Sequence, residues 1–231
     1  LRLDAILKFA GGKVDPQKVL EEVRKAVEEA DPTALSEISK GMEGGDPFKV
    51  LIGTILSHRT RDERTSEATE RLFGRFRGVR ELASASREEV AERIRGVGFY
   101  NVKSGRLLEV ARIIRDQYGG RVPDSMEELM KLPGVGRKTA NCVLVYGFGK
   151  RAIPVDTHVH RISNRLGIAH TRSPDETEAV LRDFFPEERW LEVNDLFVRF
   201  GKAVCRPVGP RCNVCPLSEE CEYFRKIREK E

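Results

Sequence analysis

The 231-residue sequence predicts an all-α fold. Apolar residues recur at three- and four-residue spacing in segment after segment. No run alternates apolar and polar residues with the period of two that a half-buried strand requires. Aspartate, proline and glycine punctuate the segments where helix starts and stops are expected. The length suits one domain or two small ones packed together, with enough chain to bury a sizeable core.

Each element follows from its residues. Asp15-Pro16 reads as a helix start, an aspartate cap with proline at the first helical position. Behind it Val19, Val23, Ala26, Val27 and Ala30 make one apolar stripe. Gly41 to Pro47 reads as a linker. Phe48 to Ser57 is apolar enough for a buried central helix, and the charged run after it favours helix over strand. Leu107, Val110, Ala111 and Ile114 form the next clear stripe, which Tyr118-Gly119-Gly120 ends. Met126, Leu129, Met130 and Leu132 mark a short helix, and Leu132 to Phe148 then reads as a turn feeding another helix. Pro154 interrupts before a helix near Thr157 to Leu166. Trp190, Val193, Leu196, Phe197 and Phe200 give a late stripe.

Bulk properties exclude several classes. Val50 to Leu56, the longest apolar stretch, is far too short to cross a membrane. The N-terminus has no signal-peptide pattern. The expected location is cytoplasmic, or nuclear in a host with a nucleus, and the expected state is a monomer. A net charge of +4 tilts only weakly toward an anionic partner. Abundant Glu, Arg and Lys with scarce Gln and Asn is compatible with a heat-adapted host.

Leu132-Pro133-Gly134-Val135-Gly136-Arg137-Lys138-Thr139 carries the first specific content. Two glycines around one apolar residue permit a tight reversal between helices and a close backbone approach to a ligand. The following helix start can hold a phosphate with its free N–H groups. Spacing alone also allows a plain helix–helix turn. A Walker loop needs a longer glycine spacing, and the dinucleotide fingerprint needs a preceding strand.

Cys205, Cys212, Cys215 and Cys221 lie close together as C-x6-C-x2-C-x5-C, while Cys142 sits apart in an apolar segment as a small buried hydrophobe. Clustered cysteines without secretion signals point to metal before disulfides. Four thiolates serve zinc or an iron–sulfur cluster equally, and the residues alone leave the two open. Arg206 and Arg211 flank the loop, as phosphate contacts or as solvated side chains.

Taken in order, these motifs resemble the endonuclease III family. The hairpin-lysine motif stands at Leu132 to Asn141, the V-D-T-H-V segment at Val155 to Val159, and Gly98-Phe99-Tyr100-Asn101 is similar to the family's G-L-Y-N. The matches run from about Asp46 to Cys221. The resemblance implies two helical lobes of the helix-hairpin-helix glycosylase type with a DNA groove between them. One lobe would span 40–150, and the other would join 1–39 to 151–231 and carry a four-cysteine iron–sulfur loop. It also implies a [4Fe–4S] cluster on the four cysteines, and duplex DNA with a damaged base or abasic site as partner.

The implied chemistry is base excision followed by strand cleavage, on oxidised or ring-saturated pyrimidines such as thymine glycol. Lys138 would be the nucleophile. Arg137 and the positive helix end beside it disfavour its protonated form. Asp156 reads locally as the cap of the helix at Thr157, and by resemblance as the carboxylate that stabilises charge on the sugar. Arg59 and Phe99 occupy the family's gap-filling positions, where glutamine and leucine are usual. Their departure leaves opposite-base preference open. Gly134, Val135, Gly136, Arg137, Thr139 and Asn101 complete the expected DNA contacts, with Arg206 and Arg211. His158 and His160 point apart on a helix and read as packing residues. A thymine or uracil glycosylase acting opposite guanine is the nearest alternative. A DNA-binding protein without chemistry would keep the hairpin and cysteines but has no reason to keep Lys138 with Asp156. An iron–sulfur electron carrier would not need the hairpin.

Overall fold

Asp15 caps helix α1 (Pro16–Ala26), its Oδ1 accepting from the N–H groups of Gln17 at 2.8 Å and Lys18 at 3.2 Å. The computed structural model describes residues 14–39 and 45–229, and within them no strand occurs. Helices follow at α2 (Ala34–Ser39), α3 (Pro47–Ser57), α4 (Asp62–Arg75), α5 (Val79–Ala83), α6 (Arg87–Arg93), α7 (Tyr100–Gln117), α8 (Met126–Met130) and α9 (Arg137–Cys142). A π-helical turn, Val143–Gly147, continues α9. Then come α10 (Thr157–Leu166), α11 (Pro174–Phe184), α12 (Trp190–Ala203) and α13 (Glu222–Arg228). The all-α expectation holds for the described residues. Of the linker expected at Gly41 to Pro47, residues 41–44 lie outside them, and Asp46-Pro47 instead start α3 with a capping aspartate.

The chain divides into two compact units, one formed by Thr33–Pro154 and the other by residues up to Pro32 together with Val155 onward. The first unit is built on α3, whose Leu51, Ile52, Ile55 and Leu56 are fully buried. Each such side chain contributes roughly 1.5–3 kcal/mol relative to exposure. Around it pack α2, α4, α7, α9 and the π-helical turn. The stripe Leu107, Val110, Ala111 and Ile114 turns the core face of α7 inward, and Gly119 and Gly120, both with positive φ, end that helix. Met130 departs from its expected stripe and is 46% exposed at the end of α8.

The second unit packs α12 against α1 and α10. Val193, Phe197 and Phe200 are buried, with the Phe197 ring edge-on to Phe185 at 6.1 Å. Arg199 donates to the carbonyls of Val27 at 2.5 Å and Ala30 at 2.8 Å, closing the end of α1. The segment after α12, expected as an iron–sulfur loop, needs correction. It is a loop with a short 3-10 turn at Cys212–Val214, and no metal-holding side-chain group exists among the described residues. Arginines shape it instead. Arg161 donates to Cys205 O at 2.9 Å, and Arg165 donates to Arg206 O at 2.6 Å and Pro207 O at 2.9 Å.

Candidate active site

The reversal between α8 and α9 rests on Gly134. Its φ is +75°, and a Cβ there would lie 2.4 Å from Arg106 Cδ, so only glycine fits without a shift. Val135 N–H donates to Leu132 O at 3.1 Å, and Gly136 O accepts from Ala140 N at 2.9 Å as α9 begins. Gly136 offers that helix no side-chain cap. Arg137 and Lys138 are its first two residues, which places Lys138 on the first turn. Gly134 and Gly136 are exposed, and Val135 is buried in the core. Thr139 is only 2% exposed and faces inward, its Oγ1 3.1 Å from His58 Nε2.

Beside the hairpin in the same unit stand Arg59 and Phe99. Among the described residues they are the two non-glycine positions with positive φ, at +54° and +58°. Phe99 is 61% exposed, and the Arg59 guanidinium carbon lies 5.8 Å from its ring centroid. Left-handed backbone at such side chains costs on the order of 1–3 kcal/mol and persists only where its surroundings enforce it. Gly98 makes the close approach possible, since a Cβ there would lie 2.5 Å from Arg59 O. Asn101, exposed on the first turn of α7, borders this projection, and its carbonyl accepts from Arg87 at 2.9 Å.

Two residues not singled out as functional from the sequence hold this region. Lys103 is 5% exposed, and its ammonium donates to Leu56 O at 2.8 Å, His58 O at 2.6 Å and Thr60 Oγ1 at 3.2 Å. Burial, then Arg106, pushes it down to about 8. His58 is pushed down to about 4 by burial and by Lys138, Lys103 and Arg106, so its ring is neutral. A readable signal existed for Lys103: it stands four residues before Leu107 on the apolar face of α7, where a charge needs buried partners.

In the other unit Asp156 caps α10, its Oδ1 accepting from His158 N at 2.8 Å and Val159 N at 2.9 Å. His158 Nδ1 lies 3.2 Å from Arg161, and His160 Nδ1 lies 2.6 Å from Thr177 Oγ1, so both histidines serve packing and hydrogen bonding. Arg206 lies close to the chain, its Nε donating to Lys202 O at 3.4 Å, and Arg211 is exposed.

The expected [4Fe–4S] ligand set also needs correction. Cys205, Cys212, Cys215 and Cys221 border a common apolar cavity with Leu166, Phe200 and Phe224. Even so, no group of three or more His, Cys, Asp or Glu among the described residues is placed to hold a metal ion. Burial pushes Cys215 up to about 11 and raises Cys212 and Cys221 as well. Cys221 donates its thiol proton to Arg165 O at 3.2 Å. The expected cofactor and the metal-binding role of these four residues therefore find no support.

Residues 52–187 match the HhH-GPD superfamily of base excision DNA repair proteins. Endonuclease III of Thermotoga maritima is 49% identical over 87% of this chain and 94% of its own length. Endonuclease III of Bacillus subtilis is 37% identical over 80% and 85%. Among solved structures, a non-covalent endonuclease III–DNA complex superposes with a TM-score of 0.81 at 35% identity, covering 94% of this chain and 100% of that one. A trapped endonuclease III–DNA covalent intermediate gives 0.80 at 34%, covering 93% and 99%. A thermostable thymine-DNA glycosylase gives 0.77 at 25%, covering 91% and 97%.

Proposed function

The chain belongs to the HhH-GPD superfamily of base excision DNA repair proteins, and within it to the endonuclease III family, and on that premise we propose Lys138 as its nucleophile. It is a bifunctional DNA glycosylase and abasic-site lyase acting on damaged bases in duplex DNA. The observation that carries the assignment is the position of Lys138, on the first turn of α9 directly behind the glycine hairpin. The hairpin and the helix start grip backbone phosphate, which sets register without reading sequence.

Attack of the Lys138 amine on sugar C1′ breaks the glycosidic bond, and the base leaves with a proton. Opening of the sugar ring gives an imine between lysine and C1′. Loss of a 2′ proton then expels the 3′ phosphate and cuts the strand. A related endonuclease III has been trapped as a covalent intermediate with DNA, which supports an imine route here. Asp156 stabilises positive charge on the sugar while capping α10 with the same carboxylate. Arg59 and Phe99 fill the gap that the flipped nucleotide leaves. Oxidised and ring-saturated pyrimidines are the damaged bases.

The test is covalent trapping. A duplex with one thymine glycol, incubated with the protein and borohydride, should give a protein–DNA adduct that Lys138→Ala abolishes. No adduct from folded, DNA-binding protein would overturn the assignment. The likeness to a thymine-DNA glycosylase favours one second reading, thymine or uracil removal opposite guanine, which the same assay on a T·G duplex reads directly.

A further inference from the structure

We propose that Lys103 is a positioning residue that holds Arg59 and Phe99 in the projecting geometry needed for base extrusion. The inference deepens the reading above and rests on Arg59 and Phe99 being the residues that enter the duplex.

Two left-handed residues stand side by side, each strained, each on a segment that would relax if left alone. What prevents relaxation lies beneath them. An ammonium has three donors, and Lys103 directs one to each of three acceptors on the segment that carries Arg59. Leu56 O belongs to the last turn of α3, where carbonyls lack helical partners and the helix dipole favours a cation. His58 O is the carbonyl joined to the Arg59 nitrogen, so the bond at 2.6 Å fixes the peptide entering the strained residue. Thr60 Oγ1 fixes the far side of Arg59, and the same oxygen accepts from Gly98 N at 3.2 Å. Thr60 thus joins the Arg59 segment to the one carrying Phe99. Lys103 itself lies one turn beyond Phe99, with its own N–H donating to Phe99 O at 3.0 Å. One buried side chain therefore connects both strained residues. It touches no reacting group, and the three acceptors it reaches are carbonyl and hydroxyl oxygens rather than carboxylates.

The test separates positioning from general structure and from failure of the functional reading. Lys103→Met keeps length and apolar stem and removes the donors. The wild-type protein is assayed first, on a thymine-glycol duplex for excision and on a single strand with a preformed abasic site for the lyase step, where nothing must be extruded. Adducts with neither substrate would sink the functional reading itself. With wild type active, Lys103→Met should slow excision by about tenfold or more while the lyase rate stays within about threefold. Phe99→Ala should slow excision as well, and the Lys103→Met/Phe99→Ala double variant should be no slower than the slower single variant, because both changes remove the same contribution. Should Lys103→Met fail to fold by thermal melting, Thr60→Val removes the shared oxygen at constant shape and is held to the same criteria. Unchanged excision, equal loss in both reactions, or multiplying losses in the double variant would each overturn the proposal.

Discussion

Asp156 has a structural duty as a helix cap and a proposed chemical one, and a single substitution separates them. Its Oδ1 accepts two backbone N–H groups at the start of α10, and asparagine can accept them too. Asp156→Asn should therefore leave stability nearly unchanged, whereas Asp156→Ala should cost about 1 kcal/mol by denaturant unfolding. Excision by the asparagine variant should be largely lost, because the carboxylate charge is gone; wild-type excision rates would show that the cap is its whole role. His58 makes a pH prediction. Its folded value of about 4 lies below the ordinary 6.5, through burial and then the cations Lys138, Lys103 and Arg106. The neutral ring thus stabilises the fold above pH 6.5, and that stability is lost as pH falls toward 4. His58→Gln keeps a partner for Thr139 without the titration, so its urea midpoint should fall less steeply than wild type across that window; parallel profiles would refute the assignment. At this scale the sequence was partly legible. Asp156 as a cap and Cys142 as a buried residue follow from their neighbours. The strain at Arg59 and Phe99 does not, since neither residue type prefers left-handed backbone and the cause is a lysine more than forty positions away from Arg59.

Among the elements, the hairpin was the most legible, because Gly134, with φ at +75°, answers a backbone demand that favours glycine. Arg106 is flexible enough to move aside from a new methyl group at residue 134, so the backbone sets the penalty. Gly134→Ala should cost roughly 1–2 kcal/mol of stability and weaken DNA affinity through a distorted turn. A gel-shift titration with an unchanged midpoint would show that the turn does not touch the backbone phosphates. The loop after α12 was the least legible. Its cysteine spacing is visible in the chain, but spacing does not report how the thiols are arranged in space. The arginine bonds that shape the loop arise from α10, some forty residues upstream. Arg165 supplies two of them and also lies over the Tyr223 ring at 4.4 Å from its centroid. Arg165→Lys cannot reproduce the planar fork, so it should destabilise the protein by about 1–2 kcal/mol, a loss in denaturant midpoint that an exposed control such as Arg211→Lys should not show.

For the whole molecule, the family resemblance implied bounds at 40 and 151, and the chain divides into compact units after Pro32 and after Pro154. The first difference has a packing cause: α2 lies against α3, α4 and the π-helical turn, so it belongs with them rather than with α1. No periodicity within six residues could have revealed that. Charge, by contrast, is a property of the whole chain, and the net +4 is small because Lys and Arg, 41 in number, are nearly matched by 37 Asp and Glu. Affinity for DNA must then come from where the cations stand rather than from their excess. If Z of them meet phosphates, the logarithm of the binding constant falls with the logarithm of salt concentration at a slope of about −0.9Z. Arg137, beside the hairpin glycines at the start of α9, is proposed as one such contact. Arg137→Ala should make the slope shallower by about 0.9 and weaken binding alike on damaged and undamaged duplexes, since phosphates carry no base information. Salt titrations by fluorescence anisotropy measure both quantities. A slope unchanged by the substitution would mean that Arg137 does not release a counterion, and that the hairpin grips the strand through its backbone alone.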